Sequence, residues 1–158
     1  MKSEILHLLR NADGYISGQQ LCEAFGVSRT AVWKAINQLK EEGYVIDSVQ
    51  NKGYRITEYP DIITASEIES LLLDDSGNMQ GICRHIQYFD KTDSTNNQAK
   101  LAAEKNAPEG TLFVAECQTG GRGRRGKTWE SPAGSGIWMS LLLRPDISPE
   151  SASMLTLV

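Results

Sequence analysis

The sequence predicts an α+β protein in two parts, and three observations carry that prediction. Residues 1–60 show helical periodicity that closes into a short pair of β-prone runs. After Pro60-Asp61 the pattern changes to strands with an intervening helix, so the parts divide as 1–60 and 61–158. A glycine- and arginine-rich segment then lies between two of those strands. A length of 158 residues suits a small domain joined to another, or to part of one.

In residues 2–12, Ile5, Leu8 and Leu9 recur at i, i+3 and i+4, a helical stripe that Asp13-Gly14 ends. Ser17-Gly18-Gln19-Gln20 has the form of a capping box. It predicts a second helix with Leu21, Ala24 and Phe25 inward, closed by Gly26. Ser28 is the N-cap of a third helix, in which Val32, Ala35, Ile36 and Leu39 share one side. Thr30, Lys34, Asn37 and Glu41 fall opposite, with Arg29 and Trp33 on the flank, and Gly43 ends the run. Two helices joined by a short glycine-containing turn match a helix-turn-helix. Tyr44-Val45-Ile46 and Tyr54-Arg55-Ile56 flank a segment where Asn51 and Gly53 suit a turn. The pair predicts a β-hairpin, or wing, with Lys52 at its tip.

The net charge of −4 argues against gross nonspecific affinity for nucleic acid, so the distribution of charge matters more than its total. Residues 28–55 hold five basic side chains (Arg29, Lys34, Lys40, Lys52, Arg55) against three acidic ones (Glu41, Glu42, Asp47), placing the excess on the third helix and the wing. Such placement suits phosphate contacts, with the helix N-terminus presented to base edges. The candidate DNA-binding residues are Ser28, Arg29, Thr30, Trp33, Lys34, Asn37, Lys52 and Arg55. The competing reading is a winged helix used for protein contact, and for Trp33 a packing role against the wing.

Other classes are excluded by what the chain carries. Cys22, Cys83 and Cys117 are scattered and odd in number, which fits reduced thiols rather than a disulfide framework. His7 and His85 have no neighbouring ligands, so no metal site is expected. No apolar run reaches the ~18 residues of a membrane span, and MKSEILHLLRNADG lacks the apolar core of a signal peptide. A cytoplasmic protein with no membrane partner is the expectation.

In the second part, Thr64-Ala65-Ser66-Glu67 predicts another capping box, with Ile68, Leu71, Leu72 and Leu73 following in a short helix. Residues 74–81 read as a polar loop. Ile86–Phe89, Thr111–Ala115 and Ile137–Leu143 read as strands, Asn97–Asn106 as a helix, and the residues from Glu150 onward as the start of another helix. Asp93-Ser94-Thr95-Asn96-Asn97 puts hydroxyls and an amide at a helix start, where backbone N–H groups are free. An ordinary N-cap is its alternative reading. Residues 118–129, QTGGRGRRGKTW, contain four glycines, three arginines, a lysine and no acid. Glycine entropy and like-charge repulsion make such a loop costly to order without an anion. A polyphosphate would find backbone donors and bidentate guanidinium groups there. The spacing is not that of a Walker-type phosphate loop. An arginine-glycine-rich RNA-binding tract is the competing reading, although such tracts do not normally lie between strands.

The strings DKTDSTNNQAK and VAECQTGGRGRRGKTWESPAGSGIWMSLLLRP are together similar to the catalytic domain of biotin protein ligases. The amino-terminal part resembles the winged helix of the family's bifunctional members, which also repress biotin genes. The resemblance implies a mixed α/β, class II synthetase-like catalytic fold in 61–158. It implies an enzyme that joins biotin to ATP-derived AMP as biotinyl-5'-AMP, with Mg²⁺, and then transfers biotin to a lysine of biotin carboxyl carrier protein. It further implies operator DNA and a ligand-dependent homodimer as partners. By the same resemblance Ser94, Thr95, Asn96, Gln118, Arg122, Gly123 and Arg124 bind biotin. Gly120, Gly121, Arg122, Gly123, Arg124, Arg125, Gly126, Lys127 and Trp129 form the adenylate loop. Family members continue beyond the position of Val158 with a Lys-Trp-Pro-Asn-Asp-like segment and further sheet, so the chain is expected to be incomplete for catalysis. The alternative function is a non-catalytic regulator that senses biotin or biotinyl-5'-AMP. A related lipoate-attaching ligase fits the arginine-glycine loop less well.

Overall fold

The first helices form where local chemistry places their caps. In the computed structural model, which describes residues 1–74, 76–123, 125, 127–148, 150 and 151, α1 spans Lys2–Asn11, α2 Gly18–Phe25 and α3 Arg29–Glu41. The Gln20 N–H donates to Ser17 Oγ at 3.1 Å and the Ser17 N–H to Gln20 Oε1 at 2.9 Å, closing the capping box of α2. Gly26 ends α2 in the left-handed region, and Ser28 Oγ accepts the Ala31 N–H at the start of α3. Val32, Ala35, Ile36 and Leu39 are buried against Ile5, Leu6, Leu9, Leu21, Tyr44, Ile46 and Ile56, one core for the amino-terminal part.

Two inward assignments change. Leu6 is fully buried and Leu8 only partly, because α1 is covered on two sides, by α3 and by α4 (Ala65–Leu72). Ala24 is exposed, since the short α2 packs chiefly on α3 and buries little more than Leu21.

Strands β1 (Val45–Val49) and β2 (Gly53–Glu58) pair antiparallel as the wing, with Asn51 at φ 64° in its turn. Periodicity had no means of showing that Ile16 joins this pair: its N–H donates to Tyr54 O at 2.9 Å and its carbonyl accepts the Tyr54 N–H at 2.8 Å. The junction requires Gly53, whose φ is +113° and where a Cβ would lie 2.0 Å from the Ile16 carbonyl oxygen.

Helix α4 is capped on one side only. Thr64 Oγ1 accepts the Glu67 N–H at 3.1 Å, but the Glu67 carboxylate does not return to complete the expected box. It is taken by Arg10 Nη2 at 2.6 Å and by the Tyr44 hydroxyl. Charge-assisted bonds across the fold outcompete the local one. Burial, and then the Glu67 carboxylate, push the Tyr44 phenol above its ordinary range. The small Ser66 and Ser70 are buried in α4 while Leu71 is 59% exposed and Ile68 and Leu72 are half-buried. Close approach of α1 explains this, with His7 Nδ1 2.8 Å from the Ser70 carbonyl.

Strands β3 (His85–Phe89), β4 (Thr111–Ala115) and β5 (Trp138–Leu142) form a sheet in the order β3-β4-β5. β3 and β4 are parallel and linked through α5 (Thr95–Glu104), while β5 runs antiparallel to β4. All five residues of β4 are buried, the pattern of a central strand. Helix α5 begins and ends two residues before the expected limits. Its first turn is fastened by Asp93, and Arg144 Nη2 caps its far end by donating to the Ala103 and Ala107 carbonyls. Ile137 and Met139 remain 63% and 61% exposed although β5 is paired along β4. The helix expected from Glu150 onward lies, apart from Glu150 and Ser151, outside the described residues.

Candidate functional site

The carboxyl ends of parallel strands are where α/β sheets gather ligands, and here β3 and β4 deliver Thr92-Asp93 and Cys117-Gln118 side by side. Backbone bonds weave these segments together: Thr92 N–H to Cys117 O, Thr119 N–H to Thr92 O at 2.9 Å, and Gly120 N–H to Asp93 O at 2.7 Å. Gln118 N–H donates to Ser131 O at 3.0 Å, bringing in the segment that returns toward β5.

The arginine-glycine segment is a hairpin. Its arms are closed by Trp129 N–H to Gly121 O at 2.9 Å and Gly123 N–H to Lys127 O at 2.7 Å, with Arg122 bridging Thr128. The expectation that the whole segment needs an anion for order is thereby narrowed, since backbone bonds hold the arms themselves. Arg124 and Gly126, expected in the adenylate loop, lie outside the described residues. Gly121 is required sterically: a Cβ there would meet Trp129 O at 2.4 Å and Ser131 Oγ at 3.0 Å.

Between the hairpin and the start of α5 lies an open groove of about 1070 Å³. Its walls include Gln118, Gly120, Gly121, Arg122, Gly123, Lys127 and Trp129 of the expected site. A second cavity of about 610 Å³ on the hairpin adds Arg125 to Arg122, Lys127 and Trp129. Ser94 and Thr95 are buried beneath the groove rather than lining it, and Asn96 is exposed outside its walls. Ser94 stands at the N-cap without a side-chain capping bond, so the simple N-cap reading of its hydroxyl does not hold.

Ser131 and Ser140 around Gln118 escaped the sequence reading, and Asp93 and Asn97, named there only as the ends of the polar helix-start segment, stand on the groove wall. Gln118 Oε1 accepts the Thr95 N–H at 2.8 Å and the Thr95 hydroxyl at 3.1 Å, and Gln118 Nε2 donates to Ser131 Oγ at 3.1 Å. The Asp93 carboxylate accepts from Asn97 Nδ2 at 2.7 Å and Gln98 Nε2 at 2.9 Å. An Asp four residues before an Asn at a helix start is a signal that could have found this pair.

Those bonds, from Asn97 first, then Gln98 and the Ser94 N–H, hold the Asp93 carboxyl well below the usual carboxylate range. A depressed folded value means that the unfolded chain binds the proton first. The contribution is therefore fully present above about pH 4 and is lost as pH falls through the lowered value. Amide exchange at the first turn of α5 is expected to stay slow at pH 4, and Asp93→Asn to speed it there. Equal exchange rates in the two proteins would contradict this role.

On the amino-terminal part, Arg29, Thr30 and Lys34 are exposed along one flank of α3 and Asn37 is half-buried. Ser28 is spent on its cap, and Arg29 Nη2 donates to Gln19 Oε1 at 3.2 Å. Trp33 is 57% exposed. Lys52 sits at the wing turn with its ammonium 5.9 Å from the Tyr15 ring centre. Arg55 stands across from Asp47 in the wing register, where that carboxylate offsets part of its charge. Among the described residues no His, Cys, Asp and Glu cluster of three or more could hold a metal. None of the described helices is long and apolar enough to cross a membrane.

Comparison with known proteins follows the same division. A family model described as an HTH domain matches residues 2–55, and one described as the biotin/lipoate A/B protein ligase family matches residues 88–158. The bifunctional ligase/repressor BirA of Bacillus subtilis (strain 168) is 43% identical over 159 residues, covering 100% of this chain and 47% of that protein. BirA of Salmonella typhimurium is 38% identical over 148 residues, covering 93% of this chain and 43% of that protein. BirA of Escherichia coli (strain K12) is 34% identical over 155 residues, covering 98% and 45%. The chain thus spans about half the length of the curated relatives it matches.

Proposed function

We propose, starting from a chain that is similar over its whole length to bifunctional ligase/repressors, that residues 1–60 bind operator DNA and that residues 61–158 contribute the groove in which biotin and ATP become biotinyl-5'-AMP. The observation that carries this reading is a single groove with two chemically distinct ends. At one end is the neutral, clamped amide of Gln118, and at the other a hairpin bearing Arg122, Arg125 and Lys127.

Biotin lies in this reading with its rings toward Gln118 and Thr95 and its carboxylate toward Arg122. Carboxylate and triphosphate repel each other, and the hairpin cations offset the charge that gathers as a carboxylate oxygen attacks the α-phosphorus and pyrophosphate leaves. Trp129, 58% exposed, offers a stacking face to the adenine. The hairpin covers the resulting mixed anhydride and excludes water until a lysine amine of biotin carboxyl carrier protein attacks the acyl carbon and AMP departs. Mg²⁺ would enter on the ATP phosphates, adding positive charge there. The Asp93 carboxylate, already engaged by Thr92, Asn97 and Gln98, offers it no ready-made cage. A homodimer promoted by biotinyl-5'-AMP is the DNA-bound form.

Incubation with biotin, ATP and Mg²⁺ tests the chemistry. Release of pyrophosphate that depends on biotin supports the ligase reading. Biotin binding without pyrophosphate leaves the non-catalytic sensing regulator in its place.

The DNA reading has its own test in the wing. Lys52 is a phosphate contact by placement, so Lys52→Ala is expected to weaken operator and random DNA alike and to lower the salt slope of binding by about one. An unchanged slope, measured by fluorescence anisotropy across salt concentrations, would remove the wing from the interface.

A further inference from the structure

On the amino-terminal part, one short run of hydrogen bonds fixes its own direction. Gln19 Nε2 donates to Glu23 Oε1 at 2.7 Å, and Gln19 Oε1 accepts from Arg29 Nη2 at 3.2 Å. A carboxylate only accepts and a guanidinium only donates, so valence allows the Gln19 amide no other orientation between them. Glu23 lies one turn after Gln19 on α2, and Arg29 is the first residue of α3. Among the described residues Arg29 makes no ion pair, so Glu23 is bonded to it only through Gln19. Arg29 also lines a cleft of about 510 Å³ between the start of α2 and the wing, with Gln19, Ser48, Gln50 and Asn51 in its walls. It is the one charged side chain among the described residues that line that cleft.

We propose that Gln19 and Glu23 are positioning residues that aim the Arg29 guanidinium at a guanine edge rather than at a phosphate. The inference rests on the DNA reading above and assigns a sequence preference to it. A phosphate contact works from many side-chain poses, because charge carries most of it. Bidentate pairing with guanine O6 and N7 needs the planar fork held in one pose. One corner of the fork is tied to Gln19, so its remaining donors stand on a fixed edge at the N-terminus of α3. That end of the second helix is the one that meets base edges in a helix-turn-helix. An acid at such a surface repels phosphates and lowers nonspecific affinity. By orienting Gln19, and through it Arg29, Glu23 offsets that loss with discrimination between sequences.

Duplexes that the parent chain selects from a random-sequence pool, with biotin, ATP and Mg²⁺ present, supply the probe, and the unselected pool is the control. Gln19→Ala and Glu23→Ala are each expected to lower the preference for the selected duplex over the pool by about three- to tenfold. Affinity for the pool is expected to hold in Gln19→Ala and to rise in Glu23→Ala, which removes a negative charge. Glu23→Gln keeps an acceptor for Gln19 Nε2 and is expected to retain the parent preference. Selection repeated with Gln19→Ala is expected to lose a guanine at one position. All three side chains are exposed, so these substitutions leave the core of the helices untouched. If Glu23 acted by charge alone, Glu23→Ala and Glu23→Gln would tighten both DNAs alike. That unchanged preference would overturn the inference, as would equal weakening of both DNAs by Gln19→Ala. A parent that binds the pool but selects no sequence would overturn the inference alone. A parent that binds no DNA would instead overturn the DNA reading under Proposed function, and this role with it.

Discussion

Gly121→Ala is expected to weaken biotin binding by about a hundredfold while the helix-turn-helix part stays folded. The added methyl would sit 2.4 Å from the Trp129 carbonyl oxygen and 3.0 Å from Ser131 Oγ. Neither neighbour yields easily. The Trp129 peptide is half of the bond that closes the hairpin on Gly121 O, and Ser131 Oγ is the acceptor for the Gln118 amide. One methyl group therefore disturbs both the hairpin closure and the Gln118–Ser131 bond, and a hundredfold in affinity is about 2.8 kcal/mol, the scale of losing such buried bonds. Calorimetry on the variant measures the loss, and circular dichroism checks that the helices persist. Parent-like affinity would mean that the hairpin arms do not shape the ligand site.

Phe113→Ala is expected to destabilise the second part by about 3–5 kcal/mol. Phe113 is fully buried at the middle of β4, between Gln87 of β3 and Ser140 of β5 in the sheet register. Residues directly opposite across an antiparallel pair share a face. Ser140 bonds Thr95 at the start of α5, so Phe113 lies on the α5 side of the sheet, under the site. The cavity left by its ring would remove packing beneath Thr95 and Ser140. The core of the first part contains no residue of β4 and should keep its own protection. Amide exchange followed residue by residue would show faster exchange across β3, β4 and β5, with α3 close to the parent. Uniform loss in both parts would show that they unfold as one unit.

What was legible in the sequence is what local chemistry decides. Ser17 with Gln20, Ser28 and Gly26 cap their helices without help from distant residues, and Val32, Ala35, Ile36 and Leu39 need only helical periodicity to share a face. The wing was legible from Asn51 and Gly53, whose positive φ angles suit a turn. Where a distant partner competes, local reading fails. Glu67 reads as the far half of a capping box, yet Arg10 and Tyr44, far away in sequence, bind its carboxylate. Ile16 shows no strand pattern because a single residue joins the wing.

The candidate site divides in the same manner. The run of glycine and arginine reads in the sequence as a loop suited to an anion, and the structure folds its arms into a hairpin that the sequence reading did not expect. Ser131 and Ser140 announce nothing, being ordinary serines 13 and 45 residues from the Gln118 and Thr95 that they hold. Ser94, Thr95 and Asn96 look alike in sequence. The fold separates them: Ser94 and Thr95 are buried below the groove, and Asn96 is outside it.

The central claim is that the groove between the arginine-glycine hairpin and the start of α5 receives biotin. Calorimetric titration of biotin into the purified chain, with and without ATP and Mg²⁺, tests it most directly. The account predicts saturable binding, with heat that grows when the nucleotide is added because the hairpin cations then meet both anions. No heat of binding, from a chain whose circular dichroism shows folded helix, would contradict it.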